Sequence, residues 1–186
     1  MTTTRQDLFE RAARGALHAP QLIHGFRGND DGLVNLTPID NSVIGTLGDG
    51  GQAEVDAAVA AARACFDAGD WRRRSPAQRK AAMLRWCDLL AEHAAELAAL
   101  DCIDAGKPID ECENTDIPAT LDTLRWYAEA IDKCYGKVAP TGDNALGLVV
   151  AEPIGVVGAV LPWNFPAQMY AWKVGPALAT GNSVIV

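Results

Sequence analysis

The sequence lacks the marks of an exported, metal-binding or membrane-inserted protein. Its five cysteines stand singly at Cys65, Cys87, Cys102, Cys112 and Cys134, with no CxxC pair. An odd number of isolated thiols, with no export signal, reads as reduced cytosolic cysteine rather than a disulfide framework. The histidines His18, His24 and His93 share no metal-ligand spacing with one another or with the cysteines, so no metal site is expected. The most apolar stretch, Ala145 to Leu161, is broken by Glu152-Pro153 and is too short to cross a bilayer. The N-terminus has no apolar signal-peptide core. Basic charge is also scarce: 16 Lys and Arg against 24 Asp and Glu leave a net charge of −8. Nucleic acid needs a basic surface, so no nucleic-acid partner and no membrane partner is expected. Cytoplasmic location follows as an expectation.

What remains is ordinary globular composition: 186 residues, 49% apolar, 22% charged and 6% aromatic. That length suits one domain with a sizeable core. A short helix is predicted within Thr3 to Leu17. Gln21-Leu-Ile and Leu33-Val-Asn-Leu read as two short strands joined through Gly25 to Gly32. Val55, Val59, Ala62 and Phe66 fall on one face of a helix that ends near Gly69. Ser75-Pro76-Ala77-Gln78 starts the next helix, with Ser75 as cap, Pro76 at the first helical position and Gln78 closing a capping box. Its stripe, Met83, Cys87, Leu90, Ala94, Leu97 and Leu100, runs on to a stop near Gly106 and Pro108. A third helix carries Leu121, Leu124, Ala128, Ile131 and Tyr135. Arg72-Arg73-Arg74 reads as a solvated turn.

After Gly136 the texture changes. Lys137 to Pro140 is extended, and Leu146, Leu148 and Val150 alternate with other residues as in a strand with two unlike faces. Ile154 to Leu161 is an unbroken β-branched run, the pattern of a strand buried on both faces in a parallel sheet. A proline-bracketed loop, a helix over Ala167 to Thr180, a stop at Gly181-Asn182 and a strand from Ser183 complete a βαβ unit. The second strand has no punctuation at its end, which is the pattern of an unfinished fold and of the front part of a longer protein.

Ligands of open α/β sheets sit beyond the carboxyl ends of the strands, and the loop Pro162-Trp163-Asn164-Phe165-Pro166 leaves such an end. An asparagine amide held there could donate to a developing negative charge. From the residue pattern alone, the plainer reading is that it caps the helix at Pro166. Lys173 is a solvated helix lysine or a cation at a site that handles protons. Gly155 and Gly158 make GxxG, not a dinucleotide fingerprint, and Gly106-Lys107-Pro108 is not a phosphate loop.

The run from Glu152-Pro-Ile-Gly through Pro-Trp-Asn-Phe-Pro166, continuing through Trp172-Lys173 and Gly175-Pro-Ala-Leu-Ala to Gly181-Asn182, resembles the NAD(P)-dependent aldehyde dehydrogenase superfamily. Asp104-Ala-Gly-Lys-Pro108 and Arg125-Trp-Tyr-Ala-Glu-Ala-Ile-Asp132 extend the likeness over roughly Leu22 to Val186. Asp116-Ile-Pro118 and Tyr127 to Gly136 look most like the branch acting on γ-glutamylaminobutyraldehyde and related ω-amino aldehydes. The resemblance implies an α/β fold with a Rossmann-like parallel sheet and flanking helices, broken off within the second strand of the βαβ unit. It divides the chain into 1–134, the N-terminal part of a dinucleotide-binding domain; 135–152, oligomerisation strands; and 153–186, an incomplete first βαβ unit.

Carried over by position, Asn164 matches the asparagine that holds the oxyanion, and Lys173 a lysine linked to a proton relay. Leu161, Pro162, Trp163 and Asn164 match cofactor contacts. Phe165, Gln168 and Trp172 match tunnel positions, with Asp116 near the tunnel mouth or else a helix-start aspartate. Asp104 matches a residue near a monovalent-cation site in some members. The implied reaction oxidises a small-molecule aldehyde to a carboxylic acid with NAD or NADP through a cysteine thiohemiacetal. The nucleophile and the general base match nothing in this chain, so the 186 residues alone are expected to be inactive. The full-length parent is expected to be a homo-oligomer, dimer or tetramer. Two rival readings are a non-catalytic assembly module and a CoA-acylating or phosphorylating relative. Ile23 to Arg27 and Thr37-Pro-Ile-Asp40 depart from the family's usual pattern, as does polar Gln168 at a tunnel position.

Overall fold

The computed structural model of the chain describes residues 4–19, 22–23, 26–27 and 32–186. Helix α1 (Arg5–Ala13) begins with a reciprocal cap: Asp7 N–H donates to the Thr4 hydroxyl at 3.2 Å, and Thr4 N–H donates to the Asp7 carboxylate at 2.9 Å. Five short strands follow: β1 (Leu17–Ala19), β2 (Leu22–Ile23), β3 (Phe26–Arg27), β4 (Leu33–Leu36) and β5 (Val43–Leu47). Strand β5 lies between β1, to which it is parallel, and β4, to which it is antiparallel. Residues 22–23 and 33–36 are both strands, as read from the sequence, with Gln21 outside the described residues, but they are not each other's partners. Residues 22–23 pair with 26–27, and 33–36 turn back onto 43–47. Most of the supposed Gly25–Gly32 link lies outside the described residues. The real turn is Thr37 to Ser42, closed by Thr37 N–H donating to the Ser42 carbonyl at 3.0 Å. Ile44, from the unanticipated strand, packs with Leu8, Ala12, Ala99 and Ile103.

Helix α2 (Gln52–Ala68) ends at Gly69, whose φ of 81° only glycine adopts freely. Its apolar stripe is not buried: Val55 is 51% exposed and Val59 45%. Instead of packing into a core, that side of the helix borders an open groove of about 870 Å³ floored by residues 182–186. The arginine run is not simply solvated. Arg72 and Arg73 donate to the Phe66 and Asp67 carbonyls, the orphan acceptors at the end of α2.

Helix α3 (Pro76–Glu92) has the predicted Ser75/Gln78 capping box. It stops at His93, and α4 (Ala94–Ala105) is a separate helix, where one continuous helix was expected. The break rotates the buried face to Ala98, Ala99, Asp101, Cys102 and Ile103, leaving Leu100 37% exposed. No glycine or proline marks it; packing against α1 redirects the chain.

A short helix α5 (Ile109–Glu111) runs through a wide π-turn, Cys112–Asp116, into α6 (Ile117–Ala130). Leu124 and Ala128 are buried as expected, but Tyr135 lies beyond the helix and is 84% exposed. Strands β6 (Lys137–Ala139) and β7 (Gly147–Val149) form an antiparallel ribbon whose Val138, Leu148 and Val149 stand in solvent.

The last segment is the expected βαβ unit: β8 (Val156–Gly158), α7 (Pro166–Ala179) and β9 (Ser183–Ile185), with the strands parallel. Strand β8 is shorter than predicted and is not buried on both faces, since Ile154 and Val160 flank the paired residues and are open to solvent. Helix α7 lies close along α6: a Cβ at Gly175 would stand 3.1 Å from Tyr127 Cδ2. Trp71 Nε1 donates to the Leu178 carbonyl at 2.9 Å. Asn182 stitches the unit shut, accepting from Gly155 N–H at 2.9 Å and donating to the Ala177 carbonyl at 3.1 Å. Among the described residues, no helix is long and apolar enough to cross a membrane.

Candidate active site

The loop from Ala159 to Phe165 leaves the carboxyl end of β8 and delivers the chain to Pro166, the first residue of α7. Leu161 is half-buried, Pro162 and Asn164 are exposed, and Trp163 is 81% exposed. The Asn164 amide makes no hydrogen bond among the described residues. It does not cap α7: Phe165 occupies the cap position without a side-chain bond to the helix. The carboxylate that accepts an N–H of the first turn belongs to Asp101, 66 positions away from Ala167, through a long bond of 3.5 Å. The capping alternative for Asn164 is thereby corrected, and the amide is left uncommitted at the strand end.

Around this loop the structure gathers a buried ionic cluster that the sequence did not disclose. Gly106, at φ 69°, ends α4 and turns the chain; a Cβ there would lie 2.7 Å from Pro38 Cγ. The turn aims Lys107 inward. Its ammonium pairs with the Asp116 carboxylate, which is only 1% exposed, and lies 3.9 Å from the centre of the Phe165 ring. Asp116 therefore caps no helix: it sits in the π-turn with its backbone already helical, and its Oδ1 is buried without a partner. Burial pushes the Asp101 carboxyl up to about 6. The Ala167 N–H and the Lys107 charge pull it down, while Asp116 and Asp104 push it up.

The other predicted residues lie on α7. Gln168 is half-buried, and Trp172 is 47% exposed. Trp172 and exposed Lys173 line a cleft of about 510 Å³ with Val157–Val160 of the β8 end. Lys173 has no ion pair among the described residues. The structure thus brings Phe165 and Asp116 together through Lys107, and Trp172 and Lys173 together in the cleft. Asp104 lies apart, accepting from Asn35 Nδ2 at 2.7 Å.

The three buried cysteines, Cys87, Cys102 and Cys112, are not set up as thiolate nucleophiles. Burial pushes the Cys87 and Cys102 thiols up, and Cys112 to about 11. Among the described residues, no group of three or more His, Cys, Asp or Glu side chains could hold a metal ion. Asp101 and Lys107 were missed as site residues. The Gly-Lys-Pro turn was the only local signal for Lys107, and Asp101 had none.

A parallel βαβ unit whose loop carries an uncommitted asparagine beyond the carboxyl end of its first strand places the chain among α/β proteins. The profile of the aldehyde dehydrogenase family matches residues 27–186, and the chain belongs to that family. It is 52% identical over 164 residues to the aminoacetaldehyde dehydrogenase of Pseudomonas aeruginosa, an alignment covering 87% of this chain and 33% of that protein. It is 48% identical over 151 residues to the NADP/NAD-dependent aldehyde dehydrogenase PuuC of Escherichia coli, covering 81% and 30%. Among solved structures, the γ-glutamyl-γ-aminobutyraldehyde dehydrogenase of Burkholderia cenocepacia superposes with a TM-score of 0.90 at 47% identity, over 97% of this chain and 37% of that one. The chain spans about a third of the length of the proteins it matches.

Proposed function

We propose that this chain is the N-terminal part of an NAD(P)-dependent aldehyde dehydrogenase that oxidises an ω-amino or γ-glutamylamino aldehyde to the carboxylic acid. The observation that carries the reading is the Asn164 amide, exposed, without a hydrogen bond among the described residues, and bracketed by Pro162 and Pro166 beyond a parallel strand end. As a thiolate adds to the aldehyde carbon, the carbonyl oxygen gains nearly a full negative charge. The Asn164 Nδ2–H donates to it without reorganising, because the flanking prolines stiffen its backbone. The cysteine and the base glutamate belong to the protein outside this chain. Lys173 holds a proton at Nζ beside the cleft. Phe165, Gln168 and Trp172 line the aldehyde's approach, with Asp116 behind Phe165.

The residues fit one end of a dinucleotide. Leu161, Pro162, Trp163 and Asn164 offer a half-buried aliphatic side chain, a rigid edge and an exposed indole at the strand end. The adjacent cleft is open at Gly158, where a Cβ would meet nothing within 4 Å. When bound, NAD(P) supplies the two-electron acceptor for the oxidation.

The choice of aldehyde is supported by the names of the similar proteins, which act on aminoacetaldehyde and on γ-glutamyl-γ-aminobutyraldehyde. Residues 1–134 and 153–186 then serve the dinucleotide-binding domain. Residues 135–152, with the exposed apolar ribbon of β6 and β7, serve self-association into a dimer or tetramer. The free, singly placed cysteines fit a reducing compartment such as the cytoplasm. The test is kcat/KM of the full-length protein for an ω-amino aldehyde and for hexanal. The amino aldehyde should be preferred; a preference for hexanal would remove the substrate assignment. Product analysis with and without CoA should give the free acid in both cases, and a CoA thioester would favour the acylating alternative.

A further inference from the structure

We propose that Asp101 and Lys107 are positioning residues that set where the Asn164 amide stands, by holding the backbone on both sides of Pro166. The proposal rests on the reading of Asn164 as the oxyanion donor. Phe165 and Ala167 flank Pro166. Lys107 reaches the face of the Phe165 ring at 3.9 Å, and Asp101 accepts from the Ala167 N–H at 3.5 Å. Both holders come from one place, the end of α4 and the turn at Gly106, so the loop is gripped by a single body. Lys107 is anchored in turn by the buried Asp116.

Among the described residues, nothing nearer does this work. Helix α7 has no side-chain cap of its own, and Asn164 makes no bond that would fix it among the described residues. The cluster is also an expensive way to fill space. It buries two carboxylates for one ammonium and leaves Asp116 Oδ1 without a partner. Apolar packing would be at least as stabilising as such a set. A cluster of this kind is explained if the loop it grips must be held to within a fraction of an ångström. Misplacement of a reacting group by about 1 Å can cost about a hundredfold in rate.

The experiment uses the full-length protein with Asp101→Leu, Lys107→Met and the conservative Asp101→Asn, whose amide oxygen still accepts. Each is measured for kcat, KM and hydrogen exchange of the peptide 162–170. Asp101→Leu and Lys107→Met should each lower kcat by about tenfold or more, within the range a displaced group can produce, with KM changed far less. Exchange in 162–170 should quicken. Asp101→Asn should restore both readouts to near wild type. In an Asn164→Ala background the same two substitutions should cost almost nothing further in kcat, because their effect passes through that amide. Unchanged exchange in 162–170, or an equal further loss of kcat in the Asn164→Ala background, overturns the proposal. If the wild type oxidises no aldehyde, or Asn164→Ala is silent, the functional reading fails, and hydrogen exchange still decides whether Asp101 and Lys107 hold the loop. Should the Asp101→Leu variant not fold, Lys107→Met carries the same test.

Discussion

Replacing Asn164 by alanine in the full-length protein separates chemistry from folding, because the structure gives the side chain nothing else to do. Its amide is exposed and unbonded among the described residues, and the first turn of α7 is served by Asp101 instead. Removing such a group should change stability by no more than about 0.5 kcal/mol. If the amide donates to the developing oxyanion, its loss should lower kcat by about 10²–10³, or roughly 3–4 kcal/mol of transition-state stabilisation. Asn164→Asp sharpens the contrast. A carboxylate just before the N-terminus of α7 should be neutral or stabilising, by about 0.3–1 kcal/mol through the helix dipole. It accepts but cannot donate, so it should repel the oxyanion and lower kcat further than alanine does. Stability and activity therefore move in opposite directions in one variant. The assay is absorbance of the reduced cofactor at saturating aldehyde, with melting temperatures of the three proteins measured in the same buffer. An active Asn164→Asp enzyme would refute the oxyanion role. An alanine variant that melted markedly lower would reinstate the capping role.

Three further outcomes follow from the same geometry. The Asp101 carboxyl titrates near 6 when folded, against an ordinary 3.8, so folding favours its proton; the resulting penalty is absent below about pH 4 and complete above about pH 6. Asp101→Asn should therefore gain stability relative to wild type as pH rises, by about 1–2 kcal/mol more at pH 8 than at pH 5; parallel urea midpoints at the two pH values would contradict this. Residue-resolved alkylation at neutral pH should label exposed Cys134 first, while Cys87, Cys102 and Cys112 react only in denaturant; rapid labelling of Cys112 would show that the α4–α6 packing opens. Gly106→Ala should destabilise by about 1–2 kcal/mol through its left-handed backbone alone, and more through the 2.7 Å approach to Pro38; an unchanged denaturation midpoint would show that the turn is not strained.

Much of this protein was legible along the chain wherever the signal is short-range. Ser75, Pro76 and Gln78 start a helix because a cap and its partner lie three residues apart, and Gly69 and Gly106 stop helices because glycine takes the left-handed turn without steric cost. The βαβ unit and its proline-bracketed loop were readable for the same reason, and so was the family. Packing decided the rest. The break at His93 carries no breaker residue and follows from α4 turning to meet α1. The strand Val43–Leu47 folds back locally on Leu33–Leu36, but its second, parallel partner Leu17–Ala19 lies far off in sequence, and only the fold supplies that pairing. Asp101 and Lys107 reach the Asn164 loop across about 60 residues of chain, and no local pattern announces a contact that exists only once α4, the π-turn and α7 are side by side. Periodicity can state which residues share a helix face, as with Val55 and Val59, but whether that face meets protein or water depends on what the rest of the fold lays against it.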